Sequence, residues 1–259
     1  MAERAAFHGY RTLAVDADQQ ESLTFRWNIE PSSDKGIYPI YDNFILANKK
    51  LDLEKFNLLK TVISSNLDLL SASIRLHRIE GKLYESDKVG QEIEKNFYEF
   101  VEFLRGEYDI VIFDLPPTFK NMNSQFIMHS DLVAIPVSIM DFHSIESAEM
   151  AVSLIERFDA DSGSKISKIA IKNHTGDAYQ TDEPLKYARD KIKAEFSKLT
   201  FVYNPDLPYH TGGLKELAEA PNKATFNPVD LDMLLFDDLK MLLPSQSSQA
   251  STQTKEVMS

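Results

Sequence analysis

Three carboxylates stand where buried strands of this sequence should end. The stretch Tyr108-Asp109-Ile110-Val111-Ile112-Phe113-Asp114-Leu115-Pro116-Pro117 runs four apolar residues, mostly β-branched, into Asp114. Two prolines then stop either kind of regular structure. Near the start, Thr12 to Val15 form a short apolar strand followed by Asp16-Ala17-Asp18-Gln19-Gln20. Acids at the carboxyl ends of neighbouring strands suit phosphoryl transfer. One carboxylate can serve Mg²⁺ and its waters, and a second can orient or deprotonate an attacking water. A solvated strand end is the plain alternative for Asp16.

The elements that must position these acids follow from hydrophobic periodicity. Ala2 to His8 read as the last turns of a helix stopped by Gly9. Leu53 to Ser64 is predicted as a helix, and Leu67 to Ala72 as a strand. Gly90 to Arg105 repeats Ile93, Phe97, Phe100, Val101 and Leu104 at helical spacing, with Gly106 as its cap. Leu132 to Val137 is a further buried strand, as the Asp114 stretch is expected to be on both faces. Ser144 caps a helix with Ala148, Val152, Ile155 and Phe158 inward. Ile169 to Ile171 and Phe201 to Tyr203 are strands. Leu185, Ala188, Ile192 and Phe196 mark a helix, and Leu231 to Leu242 a C-terminal one. Turn signals gather at Pro31 to Gly36. Strands alternating with helices predict an α/β fold, a doubly wound and mostly parallel sheet flanked by helices.

Composition bounds the chemistry. The 259 residues carry 28 basic and 40 acidic side chains, a formal charge of −12, so a surface coated with nucleic-acid-binding charge is excluded while a local basic patch is not. The absence of cysteine excludes disulfides, thiolate catalysis and cysteine zinc sites. The six histidines show no ligand spacing. Without an apolar leader or a run of membrane-spanning length, the expected compartment is cytoplasmic.

Several segments, in the right order, resemble the ParA/MinD family of partition and positioning ATPases. Asp16, Asp18 and Gln20 match the family's D-x-D-P-Q, with Gln19 in place of its proline. The Asp114 stretch matches its Walker B pattern, Y-D-x-x-x-x-D-x-P-P. Ala134-Ile135-Pro136-Val137 matches its next strand, and Leu217-Ala218-Glu219-Ala220-Pro221 its L-x-E-A-P segment. The resemblance covers about residues 2–243. It implies a P-loop NTPase-like domain over 1–243, with Asp18 activating water, Asp16 in support and Asp114 on the Mg²⁺ side. Asn173 and Pro221 fall where the family contacts adenine. ATP and Mg²⁺ are the implied cofactors, and a homodimer, a ParB-like partner and non-specific DNA the implied partners. Nucleoid association would follow.

Two departures qualify the expectation. The family's phosphate loop, K-G-G-x-x-K-[ST], occurs nowhere in these residues; Gly212-Gly213 is followed by Leu-Lys. Aligned on Gly9 and Asp16, Met1 falls inside the helix after that loop, so the first strand and the loop are expected to be missing, through an upstream start or a truncation. Lys186, Arg189 and Lys193 share a helical face, but acids interrupt them, and Glu216 stands where the family often has arginine. A nucleotide-independent relic or regulatory binding protein of the same fold therefore stays open. A MinD-type membrane role is disfavoured, because the polar tail, 244–259, offers no amphipathic helix and is expected to be disordered.

Overall fold

A computed structural model describes residues 1–84, 90–118, 121–138, 142–163, 166–173, 190, 194–195, 199 and 202–203. The chain divides into two compact units, Met1–His129 and Ser130–Ser259.

The first unit is built on four strands in the order β2-β3-β1-β4. These are β1 (Thr12–Asp16), β2 (Thr61–Ser64), β3 (Leu67–Leu70) and β4 (Ile110–Asp114). β1 pairs in parallel with β3 and β4, and β2 runs antiparallel to β3. All five residues of β1 are buried, as a central parallel strand covered on both faces requires. Alternate residues of β1 serve the two faces. Leu13, Val15 and Ala17 join the main core. Ala14 joins Ala6, Leu67 and Leu69 beneath α1 (Ala2–Phe7). The main core stacks aromatic rings edge to face, with Phe97 and Phe126 5.1 Å apart at 85° and Tyr41 beside both.

Most elements around this sheet follow their sequence signals. Gly9, at φ 86, closes α1. The helix α2 (Ser22–Arg26) follows the Asp16-Ala17-Asp18 turn, and α6 (Gly90–Glu107) buries Ile93, Phe97, Phe100, Val101 and Leu104. It passes through Gly106, which is no cap; the last turn is closed by the Tyr108 N–H on Leu104. α7 (Asn121–Met128) follows β4.

Other expectations fail for local reasons. The helix predicted over 53–64 stops at Leu59, and Thr61–Ser64 turn back as β2; three β-branched residues in four favour the strand. Ile37–Ile40 (α3) and Tyr41–Leu46 form a continuous helical segment, the second part π-helical, although the sequence there read as irregular. Pro39 lies in its first turn, where a missing N–H costs nothing. α4 is Leu53–Leu59 and α5 is Leu76–Tyr84. β4 is half-buried, not buried on both faces, because among the described residues it has β1 on one side and no strand on the other.

At the amino end of this sheet Lys60, Asp68 and Tyr108 form a shielded cluster. The Lys60 ammonium and the Tyr108 hydroxyl each lie 2.7 Å from Asp68 Oδ2. Arg11 and Asp109 pair at 3.0 Å on the surface nearby.

The second unit holds a parallel sheet in the order β5-β6-β7, from β5 (Leu132–Ser138), β6 (Ser167–Asn173) and β7 (Val202–Tyr203). α8 (Phe142–Ser162) packs on β5 and β6 through Ile145 and Ala148, with Val152 and Ile155 also buried. β5 was expected buried, yet Ala134 and Pro136 are exposed. Mostly parallel sheets with covering helices are the α/β class read from the sequence. The Lys186 face, the Leu217–Pro221 segment, the C-terminal helix and the tail lie outside the described residues. Among the described residues no helix is long and apolar enough to cross a membrane.

Candidate functional site

The register of β1 against β4 brings the acids together. Asp16 and Asp114 are direct partners, each the last residue of its strand. Beyond them the Ala17 N–H donates to the Asp114 carbonyl at 2.9 Å, so the two chains stay paired one step past the carboxylates. Asp18 follows at the carboxyl edge, where ligands of open α/β sheets bind. The sequence reading that placed three acids at one edge is met in space for Asp16, Asp18 and Asp114.

The three carboxylates are not equivalent. Asp16 is fully buried. Its Oδ2 accepts the Thr24 N–H at 2.8 Å and the Thr24 hydroxyl at 2.7 Å, and its Oδ1 accepts the Asp18 N–H at 3.2 Å. Burial pushes its carboxyl above the ordinary range, while the bonds from Thr24 and Asp18 oppose that rise. Asp18 is half-exposed, and its Oδ1 accepts the Gln20 N–H at 2.9 Å in a turn. Asp114 reaches solvent on one side, yet desolvation on the other, and then the charges of Asp16 and Asp18, hold its carboxyl above the usual range.

The loop after Asp114 is fixed by Asn123, at the start of α7. Its amide donates to the carbonyls of Pro116 at 3.1 Å and Thr118 at 2.6 Å. The two prolines and this amide prevent the Asp114 loop from continuing the strand.

Asn173 and Pro221 are the remaining sequence candidates. Asn173 ends β6, in register with Ser138 in the second unit. Pro221 lies outside the described residues. Among the described residues no group of three histidine, aspartate or glutamate side chains is arranged to hold a metal ion. The oxygen donors at Asp114 still suit Mg²⁺, which is bound through one or two carboxylates together with substrate phosphates and waters. A bound cation would also relieve the mutual repulsion of the three acids.

Sequence reasoning missed Thr24, Glu21 and the segment 71–74. Thr24 is buried, and its hydroxyl accepts the Ala72 N–H at 2.9 Å. Glu21 accepts the Ile74 N–H at 2.6 Å. The hydroxyl six residues after Asp18 was visible in the sequence, but its partners were not.

Known proteins resemble the chain over most of its length. The AAA domain family model matches residues 1–168. The sporulation initiation inhibitor protein Soj of Bacillus subtilis is 25% identical over 194 residues, 72% of this chain and 72% of that protein. A putative plasmid partition protein of Borrelia burgdorferi B31, solved bound to AMPPNP, superposes with a TM-score of 0.60 at 16% identity, covering 92% of this chain and 90% of that one. Cobyrinic acid a,c-diamide synthase of Mycobacterium smegmatis, solved with an ATP analog and magnesium, gives 0.61 at 16% identity over 86% and 88%.

Proposed function

This chain belongs to the ParA/MinD family of partition ATPases, and on that premise we propose that it is an ATPase that helps distribute a plasmid or chromosome. The observation that carries this reading is the Asp16–Asp114 register pair with Asp18 two residues on. Asp18 is half-exposed, and in this reading it orients the attacking water and takes its proton. Asp114 would hold Mg²⁺, which supplies charge neutralisation at the phosphates when bound. Asn173 and Pro221 are proposed as adenine contacts. ATP-dependent dimerisation, non-specific DNA binding and stimulation by a ParB-like partner complete the proposed cycle, supported by the likeness to Soj and the partition protein.

The test uses a form with a strand and a K-G-G-x-x-K-T loop joined ahead of Met1. Asp18→Ala is expected to lower turnover by about 10²–10⁴-fold, the usual worth of a positioned base, with nucleotide affinity kept. Asp114→Ala should weaken nucleotide binding as well. Turnover at the parent rate in Asp18→Ala would show that another group handles the water. The second reading, a nucleotide-independent regulatory protein, is favoured by the absence of the loop sequence from these 259 residues. It predicts no turnover in any of these forms.

A further inference from the structure

We propose that Asp16 and Thr24 are positioning residues, a buried latch that ties the loop bearing Asp18 to the segment following β3 and so aims Asp18 outward. What Asp18 is aimed at rests on the function proposed above; the latch itself does not.

The bonding is directional. The Thr24 hydroxyl has one proton and gives it to Asp16 Oδ2 at 2.7 Å. Its oxygen can then only accept, and the Ala72 N–H donates to it at 2.9 Å. Ala72, Thr24 and Asp16 thus form one chain of bonds from the end of β3 to the end of β1. The other Asp16 oxygen takes the Asp18 N–H, so the backbone of Asp18 hangs from the same carboxylate. Asp16 is fully buried, and both its oxygens bond within the protein. In this proposal the supporting role that the resemblance implies for Asp16 is one of positioning.

Two further ties hold the far side. Glu21 bonds the Ile74 N–H while its own backbone sits at φ 61, a left-handed conformation that non-glycine residues rarely adopt. The Ile37 N–H donates to the Ser71 carbonyl at 3.0 Å, and at Gly36 a Cβ would lie 2.0 Å from that same oxygen. Segment 71–74 is therefore held against both loops. Between the anchors at Asp16 and Thr24, Gln19 and Gln20 are exposed and Asp18 half-exposed.

Amide hydrogen exchange on the full 259-residue chain, without nucleotide, tests the latch independently of any ATPase activity. Thr24→Ser keeps the hydroxyl and Thr24→Val keeps the volume. The serine variant should hold the protection of the Ala72 and Asp18 amides within about threefold. Thr24→Val and Asp16→Asn should lose at least tenfold at both, with the β1–β4 ladder amides unchanged. Equal protection in the valine and parent proteins, or a serine variant as loose as valine, would overturn the latch, since a packing role ranks them the opposite way. A measurement on the parent chain covers a valine variant that does not fold. The amides of Asp18, Thr24 and Ala72 should open together, at one denaturant midpoint; separate midpoints would overturn it too.

Discussion

Partial desolvation, and then the charges of Asp16 and Asp18, hold the Asp114 carboxyl above its ordinary range. A carboxyl whose folded-state pKa is raised contributes stability that is full below the unfolded value and lost as pH rises through the folded one. Above the folded value that contribution is gone, so there Asp114→Asn should raise the melting temperature, by up to about 3 °C in a chain of this size given its partial exposure. The gain should vanish below about pH 4, near the ordinary carboxyl value. Thermal melts of both proteins from pH 4 to 8 check this; a lower melting temperature for the asparagine variant at pH 7 would mean the carboxylate is paired. At this scale the sequence was informative about where acids stand and silent about how they are used. Asp16 and Asp114 were each visible at a strand end. That Asp16 is bonded by Thr24 could not be read, because it depends on a turn of eight residues and on Ala72 from the segment after β3.

Among elements, β4 stands out as an apolar strand with one edge unpaired among the described residues. Edges that avoid association carry charge, proline or a bulge. β2, at the other end of the sheet, is short and irregular in register near Ser64. β4 has none of these from Ile110 to Phe113. Val111 and Phe113 pack against the main core, so Ile110 and Ile112 face the opposite side. The chain should associate with rising concentration, and Ile112→Lys should shift it toward monomer while costing less stability than Val111→Lys. Size-exclusion chromatography across concentrations, with melts of both variants, checks the ranking; a clean monomer at every concentration in the parent would remove the argument. Strong period signals made β1, β3, β4, α6 and α8 legible. β2 was lost because an apolar stripe at helical spacing, Phe56, Leu59, Val62 and Ile63, ran through the break at Lys60. α5 carried a weaker signal, Leu76, Ile79 and Leu83 at helical spacing with charged residues between them.

For the whole molecule, the net charge of −12 and the absent phosphate-loop sequence bear on the same ligand. Backbone N–H groups and a lysine of that loop normally supply most contacts to the phosphates, and here Asp114 and Asp18 add negative charge at the carboxyl edge of the sheet. The 259-residue chain should therefore bind Mg·ATP weakly or not at all; calorimetric titration giving low-micromolar affinity would contradict this. The order in which the site comes into being follows from its connectivity. β1 pairs with β3 across 55 residues, Thr12 to Leu67, and with β4 across 98, Thr12 to Ile110. Closing the longer loop costs about 0.5 kcal/mol more in chain entropy if both close from the open chain. The β1–β3 contact should thus precede the β1–β4 contact, with the latch complete before Asp114 arrives. During synthesis, too, the first hundred residues can assemble the Asp18 loop, but the carboxylate pair waits for β4, the last strand of its sheet to be made.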